Sequence, residues 1–162
     1  MNKSSGQTHF GFFHLSFLMA LVMTMIPWGA YLKPIQPYWL AMIVAFWSLQ
    51  RSPSIMTWAV FYGLLLDVLS GSLLGKHGMS LVALSYLIGK SSKQLHLTSF
   101  WQLMMMVLAL LLNDLVIRAA IDWISYRYTP EWSDLLPLVS AAMVWPWLKY
   151  TLDRMLLSLK NK

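Results

Sequence analysis

The sequence predicts an all-α fold, a polytopic bundle of membrane-crossing helices, on three observations: a deficit of charge, long apolar runs, and the positions of the few charges. Of 162 residues, 58% are hydrophobic and 11% charged. A soluble domain carries about 25% charged residues to cover its surface, so the expected exterior faces lipid. The length suits one compact domain, here a single integral membrane domain over 1–162.

A crossing helix needs about 20 mostly apolar residues. Six spans are expected, at about 10–28, 35–50, 54–70, 73–90, 99–122 and 134–152. The first follows MNKSSGQTHF without an A-x-A-like processing site, which reads as a retained helix rather than a cleaved signal. The second and third are joined by QRSPS, a link short enough to make them antiparallel neighbours, and Pro53 suits a helix start. The fourth is the weakest: Met79 to Ile88 supplies ten residues, or about 15 Å of helix against about 30 Å of hydrocarbon. Either it extends back through Leu73 and Leu74, or SGSLLGKHG forms an irregular element covered by protein. Five crossings are then the alternative. In the sixth, Trp145, Pro146 and Trp147 predict a bend with an aromatic anchor on each side.

Charge placement orients the bundle. With the N-terminus inside, eight basic residues (Lys3, Arg51, Lys90, Lys93, Lys149, Arg154, Lys160, Lys162) fall on the inner side and three (Lys33, Lys76, Arg127) on the outer. That asymmetry follows the positive-inside rule and orients a multi-pass membrane protein with both termini on the inner side. The net charge of +6 is scattered, not gathered into a patch, which argues against nucleic-acid binding. The tail KYTLDRMLLSLKNK either lies on anionic phospholipids as a basic amphipathic helix or extends the last span.

Three charges fall deep within the expected spans, away from their ends. Asp67 and Asp114 reach similar depth, and Arg118 lies four residues beyond Asp114 on the same helical face. A lone charge there costs at least about 2.5 kcal/mol on insertion scales. The expectation is a polar cluster in which Arg118 meets Asp67, Asp114 or both, with Asn113 pointing to another helix. Internal glue is the plainer reading, and a proton or substrate pathway the sharper one.

The block GLLLDVLSGSLLGKHG is glycine-rich. Gly63, Gly71, Gly75 and Gly78 allow close backbone approach or positive φ, and with Ser70 they suggest a tight structural turn. A phosphate loop is excluded because Gly75-Lys76 is followed by His77, not by a hydroxyl residue. The absence of cysteine excludes thiolate chemistry, and His9, His14, His77 and His96 lack metal-ligand spacing. Ser70, Ser72 and Ser80 have no credible base nearby, and Asp122 and Glu131 read as solvated acids. No catalytic residue, metal site or cofactor is expected. Small-residue faces for helix packing are Ala59 with Gly63 and Ala41 with Ala45.

Several of these pieces resemble the rod shape-determining protein MreD family over nearly the whole chain. The resemblance rests on MIPW at 25–28, P-x-W at 37–39, the GLLLDVLSGSLLG block and the W-P-W before a basic tail. The family's G-L-x-x-D falls on Gly63 and Asp67, its S-G-x-x-L-G on Ser70, Gly71, Leu74 and Gly75, and its second acid on Asp114. Arg118 matches no family hallmark. The resemblance implies a non-enzymatic inner-membrane component of the elongation machinery that binds MreC. Through MreC it would couple MreB filaments to the peptidoglycan glycosyltransferase RodA and its transpeptidase partner. The implied fold is similar to the membrane substrate-binding subunits of vitamin importers. The alternative function is a small-molecule-binding membrane subunit of a transporter.

Overall fold

The computed structural model describes residues 3–27, 29, 35–50, 54–95, 100–126 and 135–160. Among them are six helices: α1 (Lys3–Met25), α2 (Trp39–Leu49), α3 (Ile55–Ser70), α4 (Lys76–Leu95), α5 (Phe100–Tyr126) and α6 (Leu136–Lys160). Trp28, Lys33, Arg51, Pro53, His96, Arg127, Glu131 and Lys162, each part of the expectations above, lie outside the described residues.

Helix α2 is the axis of the molecule. Its eleven residues, WLAMIVAFWSL, are apolar almost throughout, and every one from Leu40 to Leu49 is buried. A helix apolar on all sides must be enclosed, and this one packs against α1, α3, α4 and α6. The other five close a ring around it through the successive contacts α1–α3, α3–α4, α4–α5, α5–α6 and α6–α1.

The six-span membrane bundle and the inner-membrane placement are corrected by this structure. Among the described residues, no helix is long and apolar enough to cross a membrane. The reasons differ along the chain. At about 1.5 Å per residue, the 11 residues of α2 extend about 16 Å, which suits a buried core helix. Polar residues from Lys3 to His9 shorten the apolar run of α1. Helix α4 opens with Lys76-His77-Gly78 and ends in GKSSKQL. Helix α5 carries Asn113, Asp114, Arg118 and Asp122, and α6 carries Lys149, Asp153 and Arg154. Hydropathy summed over a window does not distinguish a core wrapped by protein from one wrapped by lipid.

Local details follow from particular side chains. Helix α4 starts at Lys76, so Leu73 and Leu74 belong to the preceding turn, where Leu74 is exposed. Helix α6 runs unbroken past Pro146 and through the basic tail to Lys160. Within it Trp145 is buried and Trp147 exposed, since neighbours two apart point to different sides of a helix. Gln36 closes the end of α1, its Nε2 donating to Met23 O at 2.9 Å and Thr24 O at 3.1 Å. An aromatic cluster joins α1 to α2 and α3: Phe17 stacks on Tyr62 at 4.6 Å, and Trp47 Nε1 donates to Ser16 Oγ at 2.9 Å.

The tightest joint is between α3 and α4. A Cβ built on Gly63 would sit 2.5 Å from Gly78 Cα, so the two backbones touch where neither has a side chain. That contact places the turn between the helices directly above the molecule's polar centre.

Candidate functional site: a polar centre between α3, α4 and α5

The turn over 71–75 is built by one carboxylate. Gly71 takes φ +63°, and the end of α3 closes through Gly71 N–H to Val68 O at 3.4 Å and Ser72 N–H to Asp67 O at 3.0 Å. This is the paired pattern that satisfies terminal carbonyls beyond a left-handed residue. Gly75, at φ +94°, then leads into α4. Asp67 faces back across the turn. Its Oδ2 accepts Gly75 N–H at 2.8 Å, and its Oδ1 accepts Ser72 Oγ–H at 2.9 Å and His77 N–H at 3.1 Å. His77 Nδ1 stands 2.6 Å from the same Oδ1. Asp67 therefore caps the N-terminus of α4 from the last turns of α3, where free N–H groups and the helix dipole favour negative charge.

The second acid has its own partners. Asp114, buried on α5, accepts a hydrogen bond from Ser80 Oγ on α4. Arg118 Nη2 lies 2.9 Å from Asp114 Oδ2, and its guanidinium sits 3.9 Å from the ring centroid of Tyr38, a cation–π arrangement. Arg118 thus pairs with Asp114 and not with Asp67. Asn113 is exposed. Nearer the surface, Lys76 Nζ meets Asp122 Oδ2 at 2.5 Å, a second tie between α4 and α5.

Burial pushes the Asp67 carboxyl up, but hydrogen bonds from His77, Ser72 and Gly75 together outweigh it and hold the group below the usual carboxylate range. For His77, burial lowers the imidazole below its ordinary value; its bond to Asp67 opposes this, while the Arg118 and Lys76 charges reinforce it. The ring is therefore held neutral beside an ionised carboxylate.

Ser72, His77 and Asp67 do not form a nucleophilic triad. A triad base uses one ring nitrogen toward the hydroxyl and the other toward the carboxylate. Here both contacts involve Nδ1, at 3.5 Å to Ser72 and 2.6 Å to Asp67, and the serine donates to the aspartate itself. No group of three His, Cys, Asp or Glu suited to a metal occurs among the described residues.

The remaining sequence-marked residues are spread elsewhere. Ser70 Oγ donates to Leu66 O at 2.7 Å within α3. Ala41, Ala45, Ala59 and Gly63 are all buried, so both small-residue faces lie inside the bundle. Trp145, Pro146 and Trp147 lie on α6. The sequence reading assigned no part to His77, Ser80 or Tyr38. A signal for the first was present: a histidine at the opening of a helix, shortly after a glycine-rich turn that follows a buried acid.

Beside the Asp114–Arg118 pair lies a cavity of about 230 Å³, lined by residues that include Gln36, Tyr38, Trp39, His77, Ser80 and Arg118.

Comparison with known proteins agrees over most of the chain. Residues 6–155 match the family model described as rod shape-determining protein MreD. The chain is similar to the rod shape-determining protein MreD of Haemophilus influenzae, 27% identical over 133 residues that cover 81% of this chain and 82% of that protein. No solved structure matches.

Proposed function

Because the chain belongs to the rod shape-determining MreD family, we propose that it is a non-enzymatic adaptor that binds MreC directly. Through MreC it helps couple MreB filaments to lateral peptidoglycan synthesis by RodA and its transpeptidase partner. The family's general role, in the elongation machinery that sets cell shape, comes with membership. The observation that carries the reading is the family match over 6–155.

Two physical features support an adaptor. Asp67, Ser72, Ser80 and Asp114 spend their polar atoms on one another and on the helix ends, which braces α3, α4 and α5 into a platform. The exterior, by contrast, is broadly apolar: Leu15, Leu18, Met19 and Val22 on α1 and Val60, Phe61 and Val68 on α3 are exposed. Large exposed apolar patches mark interaction surfaces, and an apolar helix of MreC packed on α3 fits this one.

Tagged chain recovered from cells is expected to bring MreC with it, and depletion is expected to turn rods into rounded cells. Val60→Asp and Phe61→Asp, on the exposed face of α3, should lower MreC recovery at least tenfold, as expected for loss of an apolar anchor worth about 2 kcal/mol. Wild-type chain that never recovers MreC would overturn the adaptor reading.

A further inference from the structure

The outer face of α6 carries one long apolar stripe. Leu136, Val139, Met143, Trp147, Tyr150 and Leu157 are exposed, and Arg154 is exposed among them. At 3.6 residues per turn these positions fall within about 80° of arc, opposite the buried Leu138, Ala141, Trp145 and Leu152. Leu136, Met143, Tyr150 and Leu157 recur at heptad spacing, the repeat that holds a second helix along one seam. From Leu136 to Leu157 the seam extends about 30 Å.

We propose that this seam pairs antiparallel with the same seam of a second copy of the chain, about a twofold axis beside Pro146 and Trp147. Reversed about that midpoint, Leu136 meets the partner's Leu157, Met143 the partner's Tyr150, and Val139 the partner's Arg154. Sulfur against an aromatic ring is favourable, and an arginine stem covers a valine while its charged head stays in water. A parallel pairing would instead set Arg154 on Arg154, and like charges facing each other across an interface are costly. Twofold assemblies need a self-complementary patch of this kind. The area is adequate. The six apolar side chains, from 43% exposed at Leu136 to 75% at Met143, present on the order of 700 Å² per copy, near the ~800 Å² each partner gives to a standard interface. The residues proposed for MreC lie on α1 and α3, so the two surfaces share no side chain.

The chain has no cysteine, so single cysteine substitutions report contacts cleanly. A disulfide needs Cα atoms within about 7 Å. In the antiparallel pair Met143 lies beside the partner's Tyr150, whereas the two copies of Met143 are displaced by about 10 Å along the axis. Mixed and oxidised, full-length Met143→Cys and Tyr150→Cys chains should therefore form mixed dimers, with either variant alone at least about fivefold less efficient. Wild-type chain should sediment at twice the mass of one copy, and Trp147→Asp at the mass of one copy with its helical circular dichroism unchanged. Efficient oxidation of Met143→Cys with itself overturns the antiparallel pairing. A wild-type monomer at every concentration, or Met143→Cys shielded from maleimide only when MreC is added, overturns the dimer. Recovery of MreC by wild-type chain is a separate readout, so failure here is distinguishable from failure of the adaptor.

Discussion

Asp67 joins two backbone tasks that usually fall to separate residues: its carbonyl accepts the N–H that ends α3, and its carboxylate receives the N–H groups that begin α4. Asp67→Asn keeps the size but turns one acceptor oxygen into a donor facing N–H groups. It is expected to destabilise the fold by about 3 kcal/mol, since hydrogen bonds to a charged acceptor are worth about 1.5–3 kcal/mol; denaturant midpoints would measure it. The same residues imply a pH dependence. The Asp67 carboxyl is held low in the fold, so its contribution is present above the ordinary carboxylate value and lost as pH falls through the lowered one. The His77 imidazole is also held low, so the unfolded chain binds more protons just below the ordinary histidine value of about 6.5. Stability should therefore be level above that value and decline toward acid. His77→Gln, followed by chemical denaturation across the range, should flatten the first part of the decline.

Helices α3 and α4 meet at two glycines, and at Gly63 the joint leaves no room for a methyl. Gly63→Ala would drive Cβ against backbone atoms of His77 and Gly78, where no flexible side chain can yield. The expected cost is about 1–3 kcal/mol, the usual range for overpacking, read from the unfolding midpoint. At this scale the sequence was informative in part. The long apolar runs marked an all-α chain, and an acid inside such a run marked Asp67 and Asp114 as residues needing partners. Which partners they take was not legible, because that depends on rotation about each helix axis. Arg118 reaches Asp114 through simple i,i+4 spacing, which the sequence displays. His77 reaches Asp67 only because the turn doubles back, and Ser80 reaches Asp114 only because α4 lies beside α5.

At the scale of the whole chain, the arrangement is a ring of five helices around α2. Composition misled because it adds that centre, an axis buried on all sides, to the apolar side chains exposed on α1 and α3. Ala41 and Ala45 are part of this centre and Gly63 packs against α4, which leaves the bulky exposed side chains of α1 and α3 as the surface proposed for MreC. The copurification experiment with Val60→Asp and Phe61→Asp belongs to this scale, because it probes the exterior while leaving the polar centre intact.

The double use of Asp67 also bears on how the chain acquires its shape. The exit of α3 and the entry of α4 are tied together, because one residue serves both, its backbone carbonyl the first and its carboxylate the second. The hairpin should therefore form and open as a cooperative unit, with no populated stage in which one arm is complete and its neighbour is still being assembled.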